Sequence, residues 1–320
     1  MMGCALVTGA TGFIGGSLVR TLDTGAPQQT PSVIGVGSRD ADLADRRATF
    51  ELFERISRKN TCSRIFHLAA LYKAGGWPTD HPATQFHVNM GINVNVLEAW
   101  RRFFPNAKMT AVLSYCMYPP AGHAHPETEL WGTEPEEYLY SYAMTKKALL
   151  VGLRAYRQEY GLACTSVVLP TVYGPGDRFS EDSHVMGALI GKFTRAHLRG
   201  AGPVEVWGDA SQEREFLYID DAVEGILRAA EKSDELVQNL GTGCSTSIST
   251  IVRCIVDATG YEGDIVYNRK RFVGVKKRLL DVGRMWKVLD WRPKTTLEEG
   301  IRATVAWYRS TLSAGDCSPC

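Results

Sequence analysis

The sequence has almost no charge imbalance: 36 Lys and Arg stand against 35 Asp and Glu, a formal net charge of +1 at pH 7 over 320 residues. That removes any general electrostatic case for nucleic acid or a membrane surface as partner. No apolar run approaches the about 20 residues of a membrane span. The apolar stretch Cys4-Ala-Leu-Val-Thr8 after Met1-Met2-Gly3 is too short for a secretory leader, so a cytoplasmic setting is expected. The eight cysteines show no framework spacing, which suits reduced thiols. Cys317-Ser-Pro-Cys320 has a Cys-x-x-Cys spacing, but it closes the chain and reads as part of a flexible tail over 313–320. Histidine is sparse as well. His123-Ala-His125 sits in a Pro/Gly-rich loop without a matching ligand pair in sequence, so it reads as solvated and no metal is expected.

What the chain does have is 44% hydrophobic residues, enough for a sizeable core, and a glycine turn placed at once after a strand. Ala5-Leu-Val-Thr8 reads as a short buried strand, Gly9-Ala-Thr-Gly-Phe-Ile-Gly15 as a tight turn, and Ser17-Leu-Val-Arg-Thr-Leu22 as helix. That order makes a dinucleotide site, with the pyrophosphate at the positive end of the helix. The second strand, Ser32 to Gly37, runs into Ser38-Arg-Asp-Ala-Asp-Leu43. An arginine there accommodates a 2′-phosphate where a carboxylate would grip a ribose hydroxyl, so Arg39 argues for NADP(H) over NAD(H). Asp40 and Asp42 leave a ribose contact or a helix cap open. Arg64 to Ala70 is a further strand ending in small residues, and 83–103 is a helix with Val88, Ile92, Val96 and Trp100 at four-residue steps. Asn89 within it reads either as a backbone-linking amide or as a plain polar position.

Met109 to Ser114 delivers Ser114 to a strand's carboxyl end, where ligands bind in open α/β sheets. Tyr142 and Lys146 then share one helical face. A fixed cation beside a phenol favours the phenolate and moves its pKa toward working pH, and Ser114 can donate where negative charge develops on a carbonyl oxygen.

With these residues in this order, the chain resembles an extended short-chain dehydrogenase/reductase. Leu169-Pro-Thr-Val-Tyr-Gly-Pro175, Arg214-Glu-Phe-Leu-Tyr-Ile-Asp-Asp221, Asn239-Leu-Gly-Thr-Gly243 and Leu297-Glu-Glu-Gly-Ile301 resemble the nucleotide-sugar epimerase/dehydratase branch, over nearly the whole chain. Within it, Ser114-Tyr-Cys-Met-Tyr-Pro119, Asp177-Arg-Phe-Ser-Glu-Asp-Ser-His-Val185, Ala69 to Gly76 and Val206-Trp-Gly208 resemble the GDP-L-fucose synthases. The resemblance implies 3,5-epimerisation and NADPH reduction of a GDP-4-keto-6-deoxy sugar, with Ser114, Tyr142 and Lys146 as reduction triad. Cys116 as base and His184 as acid would make the epimerisation pair. Expected cofactor contacts are Gly9, Thr11, Gly12, Phe13, Ile14, Gly15, Arg39, Asp42, Leu43, Ala69 and Ala70, with Tyr142, Lys146 and His184. Expected substrate contacts are Lys192, Trp207, Arg214 and Arg278. Family members suggest a homodimer.

Departures fall around substrate and cofactor: Thr11 replaces a common arginine, Tyr115 a serine, and Lys192 an arginine that would grip in bidentate fashion. They leave open a C4-reductase of a related sugar such as a heptose, and more remotely a cofactor sensor without catalysis. The fold class expected is α/β, a Rossmann-like doubly wound parallel sheet with a smaller substrate lobe. The Rossmann part takes 1–170 plus about 216–243, and the lobe about 171–215 plus 244–312. Asp220-Asp221 is expected to cap the returning helix.

Overall fold

The computed structural model describes residues 3–24, 32–181, 183–200, 202–271 and 274–315. Cys317 and Cys320 lie outside them. The strands are β1 (Cys4–Thr8), β2 (Val33–Val36), β3 (Cys62–His67), β4 (Lys108–Ser114), β5 (Cys164–Leu169), β6 (Thr171–Tyr173), β7 (Val204–Trp207), β8 (Glu213–Tyr218), β9 (Gln238–Asn239), β10 (Ser245–Ser247), β11 (Ile265–Asn268) and β12 (Lys277–Arg278). The α-helices are α1 (Phe13–Thr24), α2 (Arg46–Ser57), α3 (Trp77–Asp80), α4 (Pro82–Phe103), α5 (Tyr140–Tyr160), α6 (Val185–Arg199), α7 (Ile219–Lys232), α8 (Ile248–Thr259), α9 (Gly283–Leu289) and α10 (Leu297–Gly315).

A six-stranded sheet of order β2-β1-β3-β4-β5-β9 is parallel throughout. Helices cover both faces, so β1 and β5 are buried along their whole length; β1 is apolar up to Thr8, whereas β5 buries Thr165 and Ser166, whose hydroxyls donate to the Glu235 and Leu236 carbonyls. The chain leaves β1 toward β2 and returns on the other side to β3. That reversal opens a crevice at the carboxyl ends of β1 and β3, and Gly9, Leu68 and Ser114 all lie along that edge of the sheet. The four-residue steps of α4 bury Ile92, Val96 and Trp100 against the sheet. Asn89 is the backbone link: its amide accepts from Leu71 N–H at 2.8 Å and donates to the Leu71 carbonyl at 3.0 Å, fixing the segment after β3.

A second core lies between α6, α8 and α10, around Ile190, Phe193, Ile251, Ile255 and Ile301. The structure departs from sequence expectation in four places. Leu280, Val282, Met285, Leu289 and Trp291, assigned by sequence to the lobe, pack in the first core, because α9 docks on α7 and β9. Residues 313–315 end α10 and do not open the tail. Asp221 does not cap its own helix: its carboxylate accepts from Lys294 and Thr295 N–H, both at 3.0 Å, and so holds the approach to α10. Cys4 and Cys62, in register at the start of β1 and β3, are joined as a disulfide rather than both reduced.

Candidate active site

At the crevice the backbone turns at Gly9 with φ of 75°, and a Cβ there would meet Ala69 N at 2.8 Å. A Cβ on Gly15 would run into the Gly9 carbonyl, so the turn can only be this close with glycine at both positions. The cradle therefore has the form a pyrophosphate needs, and Phe13, Ile14 and Gly15 place the positive end of α1 on it. Thr11 packs against Gly37 at the end of β2. Beyond it Asp40 accepts from Gly37 N–H at 2.8 Å and Asp42 from Ala44 N–H at 2.9 Å, while Asp45 caps α2 by accepting from Ala48 N–H. Asp40 and Asp42 thus hold the turn, and the cap of α2 belongs to Asp45 rather than to either of them. Asp42, expected among the cofactor contacts, is an exposed turn residue, and Leu43 is buried in the core. Arg39 is exposed at the same edge, with no hydrogen bond or ion pair among the described residues.

Gly9, Gly12, Ala70, Ser114, Cys116, Tyr142, Lys146 and His184 line one cavity of about 1090 Å³. Lys146 donates to the Val112 carbonyl at 2.8 Å, which ties α5 to the strand that ends at Ser114. Its ammonium lies 5.7 Å from the centre of the Tyr142 ring. Burial pushes Lys146 down to about 8. Burial, with Cys116 and Tyr72 adding to it, raises the Tyr142 phenol well above its ordinary value. The expected downward shift of the phenol is thus reversed, because removing a phenolate from water costs more here than one nearby cation returns. Burial also raises the Cys116 thiol, against the opposing pull of Arg278, Ser114 and Lys146. Ser114 Oγ accepts from Cys116 N–H at 3.4 Å.

His184 stands just ahead of α6. It lines the cavity with an exposed surface, yet the protein packed around it desolvates the imidazole, and burial followed by Arg178 lowers it to about 4. Tyr72 is the residue the sequence did not mark. Its ring stacks on His184 at 4.9 Å and 10° and meets Tyr142 at 4.8 Å, so it joins the two. Nothing in its local spacing signals this, since the contact is made by α5 and the His184 segment from far along the chain.

Across the cavity, Lys192 and Arg271 lie over the ring of Trp207 at 5.4 and 5.0 Å. Arg278 pairs with Glu136 and lies 5.3 Å over the Tyr115 ring. Burial alone would lower its pKa, but Tyr115, Cys116 and Glu136 hold it up. Arg214 lines the wall too, its Nη1 donating to the Glu213 carbonyl at 2.9 Å. Asp177, Arg271 and Glu136 were not singled out from sequence. Burial pushes the Asp177 carboxyl up to about 7, and its Oδ2 is buried with no partner among the described residues.

A family model described as the NAD dependent epimerase/dehydratase family matches residues 5–241. The chain belongs to this family. It is 30% identical to the GDP-L-fucose synthase of Escherichia coli (strain K12), over 94% of this chain and 95% of that protein. It is also 30% identical to GDP-L-fucose synthase 1 of Arabidopsis thaliana, over 94% and 92%. A solved GDP-L-fucose synthetase from Naegleria fowleri bound to NADP superposes with a TM-score of 0.86 at 26% identity, covering 97% of this chain and 95% of that one. As a family member the chain is an enzyme of the extended short-chain dehydrogenase/reductase type, and the parallel sheet and glycine cradle are that family's fold.

Proposed function

We propose that the chain is an NADPH-dependent 3,5-epimerase-4-reductase of a GDP-4-keto-6-deoxy sugar, as in the GDP-L-fucose synthases it is similar to. The observation that carries this reading is the meeting of Ser114, Tyr142 and Lys146 with Cys116 and His184 in one cavity that also holds the glycine cradle. NADP(H) is the cofactor. Gly9, Gly12 and the start of α1 would hold its pyrophosphate, and Arg39 its 2′-phosphate; when bound, NADPH supplies the hydride that reduces C4.

Tyr142 is the proton donor to O4, and its raised phenol pKa keeps that proton available at neutral pH. Lys146 remains a cation at neutral pH and offsets charge on the phenolate left behind. Ser114 donates to O4 while negative charge sits there during exchange at C3 and C5. Cys116 is the base and His184 the acid on opposite faces; burial lowers His184 to about 4, so its acid role depends on the negative charge developing on the enediolate, which favours the imidazolium. Burial holds Cys116 as a thiol, so the base role depends on Arg278, Ser114 and Lys146, which favour the thiolate. Lys192, Trp207, Arg214 and Arg278 take the nucleotide diphosphate end. We place the enzyme in the cytoplasm because Cys116 must stay reduced for this role, even though the Cys4–Cys62 disulfide taken by itself fits an oxidising compartment. Phe86 and Val94 on α4 and Val151 on α5 are exposed apolar residues, 47%, 54% and 53% accessible, and we infer a homodimer across that face.

The test is incubation with GDP-4-keto-6-deoxy-mannose and NADPH in deuterated water, followed by product mass and NMR. Deuterium at C3 and C5 with NADPH oxidation is the expected result, and exchange should rise with pH as the thiol ionises. NADPH oxidation without deuterium uptake would identify a C4-reductase. The absence of both NADPH oxidation and deuterium uptake would overturn the reading.

A further inference from the structure

Away from the cavity, the loop after Tyr118 brings together three side chains of metal-ligand type. His123 Nε2 lies 3.0 Å from each Glu129 carboxylate oxygen, and His125 Nδ1 lies 2.7 Å from Oε2. All three ligand atoms fall within 4.8 Å of one another. The sequence reading of this pair as solvated therefore fails at His125, which is 3% exposed and stacked on Tyr118 at 4.9 Å. Its backbone is fixed as well: its N–H donates to the Leu279 carbonyl, and its carbonyl accepts from Asp281 N–H and from Asn239 Nδ2. The missing third ligand was four residues further on, in a short turn that folds Glu129 back onto the loop.

We propose that His123, His125 and Glu129 form a binding site for a dication of the zinc class, separate from the catalytic cavity. Two imidazoles and one carboxylate form a donor set that zinc accepts with a fourth position left to water. The same set disfavours magnesium and calcium, which take shells of oxygen. Zinc ligands at about 2.0–2.1 Å in tetrahedral array stand about 3.3 Å apart, so the His–Glu spacings of 3.0 and 2.7 Å need to open by about 0.3–0.6 Å, with the two imidazole nitrogens already within 4.8 Å of each other. His125 is the rigid member. His123, whose side chain is 61% exposed, and Glu129, at 37%, can adjust and leave the fourth position open to solvent. A bound cation would clamp this loop beside the Leu279–Asp281 segment, next to Arg278. Its role is structural, and the inference does not depend on which sugar the enzyme reduces.

The test is titration of tag-free, chelator-treated protein with zinc chloride by calorimetry. Expected are one zinc per chain, a raised melting temperature, and affinity reduced by about tenfold or more in His123→Ala and in Glu129→Gln. Both residues are accessible, so neither change threatens the core. Cobalt substitution should give visible d–d bands without a thiolate charge-transfer band. The proposal is overturned if no saturable zinc binding occurs, as for a cluster held only by hydrogen bonds. It is also overturned if magnesium binds equally well, or if binding survives both variants and is lost instead in Cys317→Ser/Cys320→Ser.

Discussion

The two walls of the cavity are built differently. On the sheet side Tyr142, Lys146 and Cys116 are 9%, 5% and 1% exposed, and the lysine is anchored to a backbone carbonyl at 2.8 Å. On the lobe side Lys192 reaches the Glu205 carbonyl only at 3.3 Å, and Arg271, with a side chain 55% exposed, rests on the face of Trp207. A packed wall presents its groups in one geometry before substrate arrives, which is what a reaction step needs. A wall of long cations over an aromatic face can rearrange around a diphosphate and a base. Rate should therefore reside on the first wall and affinity on the second.

The sharpest way to break that division is Tyr142→Phe. We expect kcat for NADPH oxidation to fall by about 10²–10⁴-fold with KM for the sugar nucleotide little changed, measured by steady-state kinetics. A comparable loss of kcat in Trp207→Ala would erase the distinction. Next in size is Arg39→Ala at the cofactor edge of the first wall. Loss of a charge-assisted contact worth about 1.5–3 kcal/mol should weaken NADPH by roughly 10–100-fold and leave NADH almost unchanged, as read by fluorescence titration of both.

The same division marks what could be read from sequence. The glycine turn, Ser114 and the Tyr142–Lys146 spacing are local patterns, and a strand, turn or helix delivers each of them without help from distant residues. Cys116 and His184 became legible only through resemblance, since a lone cysteine or histidine carries no spacing of its own. Tyr72 and Arg271 were not legible, because their partners come from elements more than 60 residues away. Glu129 was close in sequence but needed the turn at 127–131 to reach His123 and His125. The direction of the Tyr142 shift was misread for a related reason: helical spacing shows the cation, and only the packed structure shows the burial that outweighs it.

Trp207→Ala should raise KM for the GDP-sugar by about tenfold, with kcat kept, because it removes one stacking face and the seat of two cations. A smaller effect separates the walls by proton linkage. His67, 1% exposed beneath the first wall and bonded to Thr8 Oγ1 at 2.8 Å, is lowered by burial, and next by Lys146, from 6.5 to about 3. A depressed imidazole contributes stability that is complete above pH 6.5 and lost as pH falls toward 3, because the unfolded chain binds the proton that the fold refuses. Asp177 works the other way. Its carboxyl, raised by burial from 3.8 to about 7, contributes stability below 3.8 that is lost as pH rises through 7. Urea unfolding between about pH 5 and about pH 6 should therefore show His67→Asn reducing the dependence of stability on pH by up to about 1.36 kcal/mol per unit. His184→Asn should reduce it by nearly as much in that window, because a ring lowered to about 4 is also neutral in the fold, and the two separate only as pH falls below about 5, where His184 regains its proton first. Equal behaviour all the way down to about pH 3 would mean that His184 is held as dry as His67.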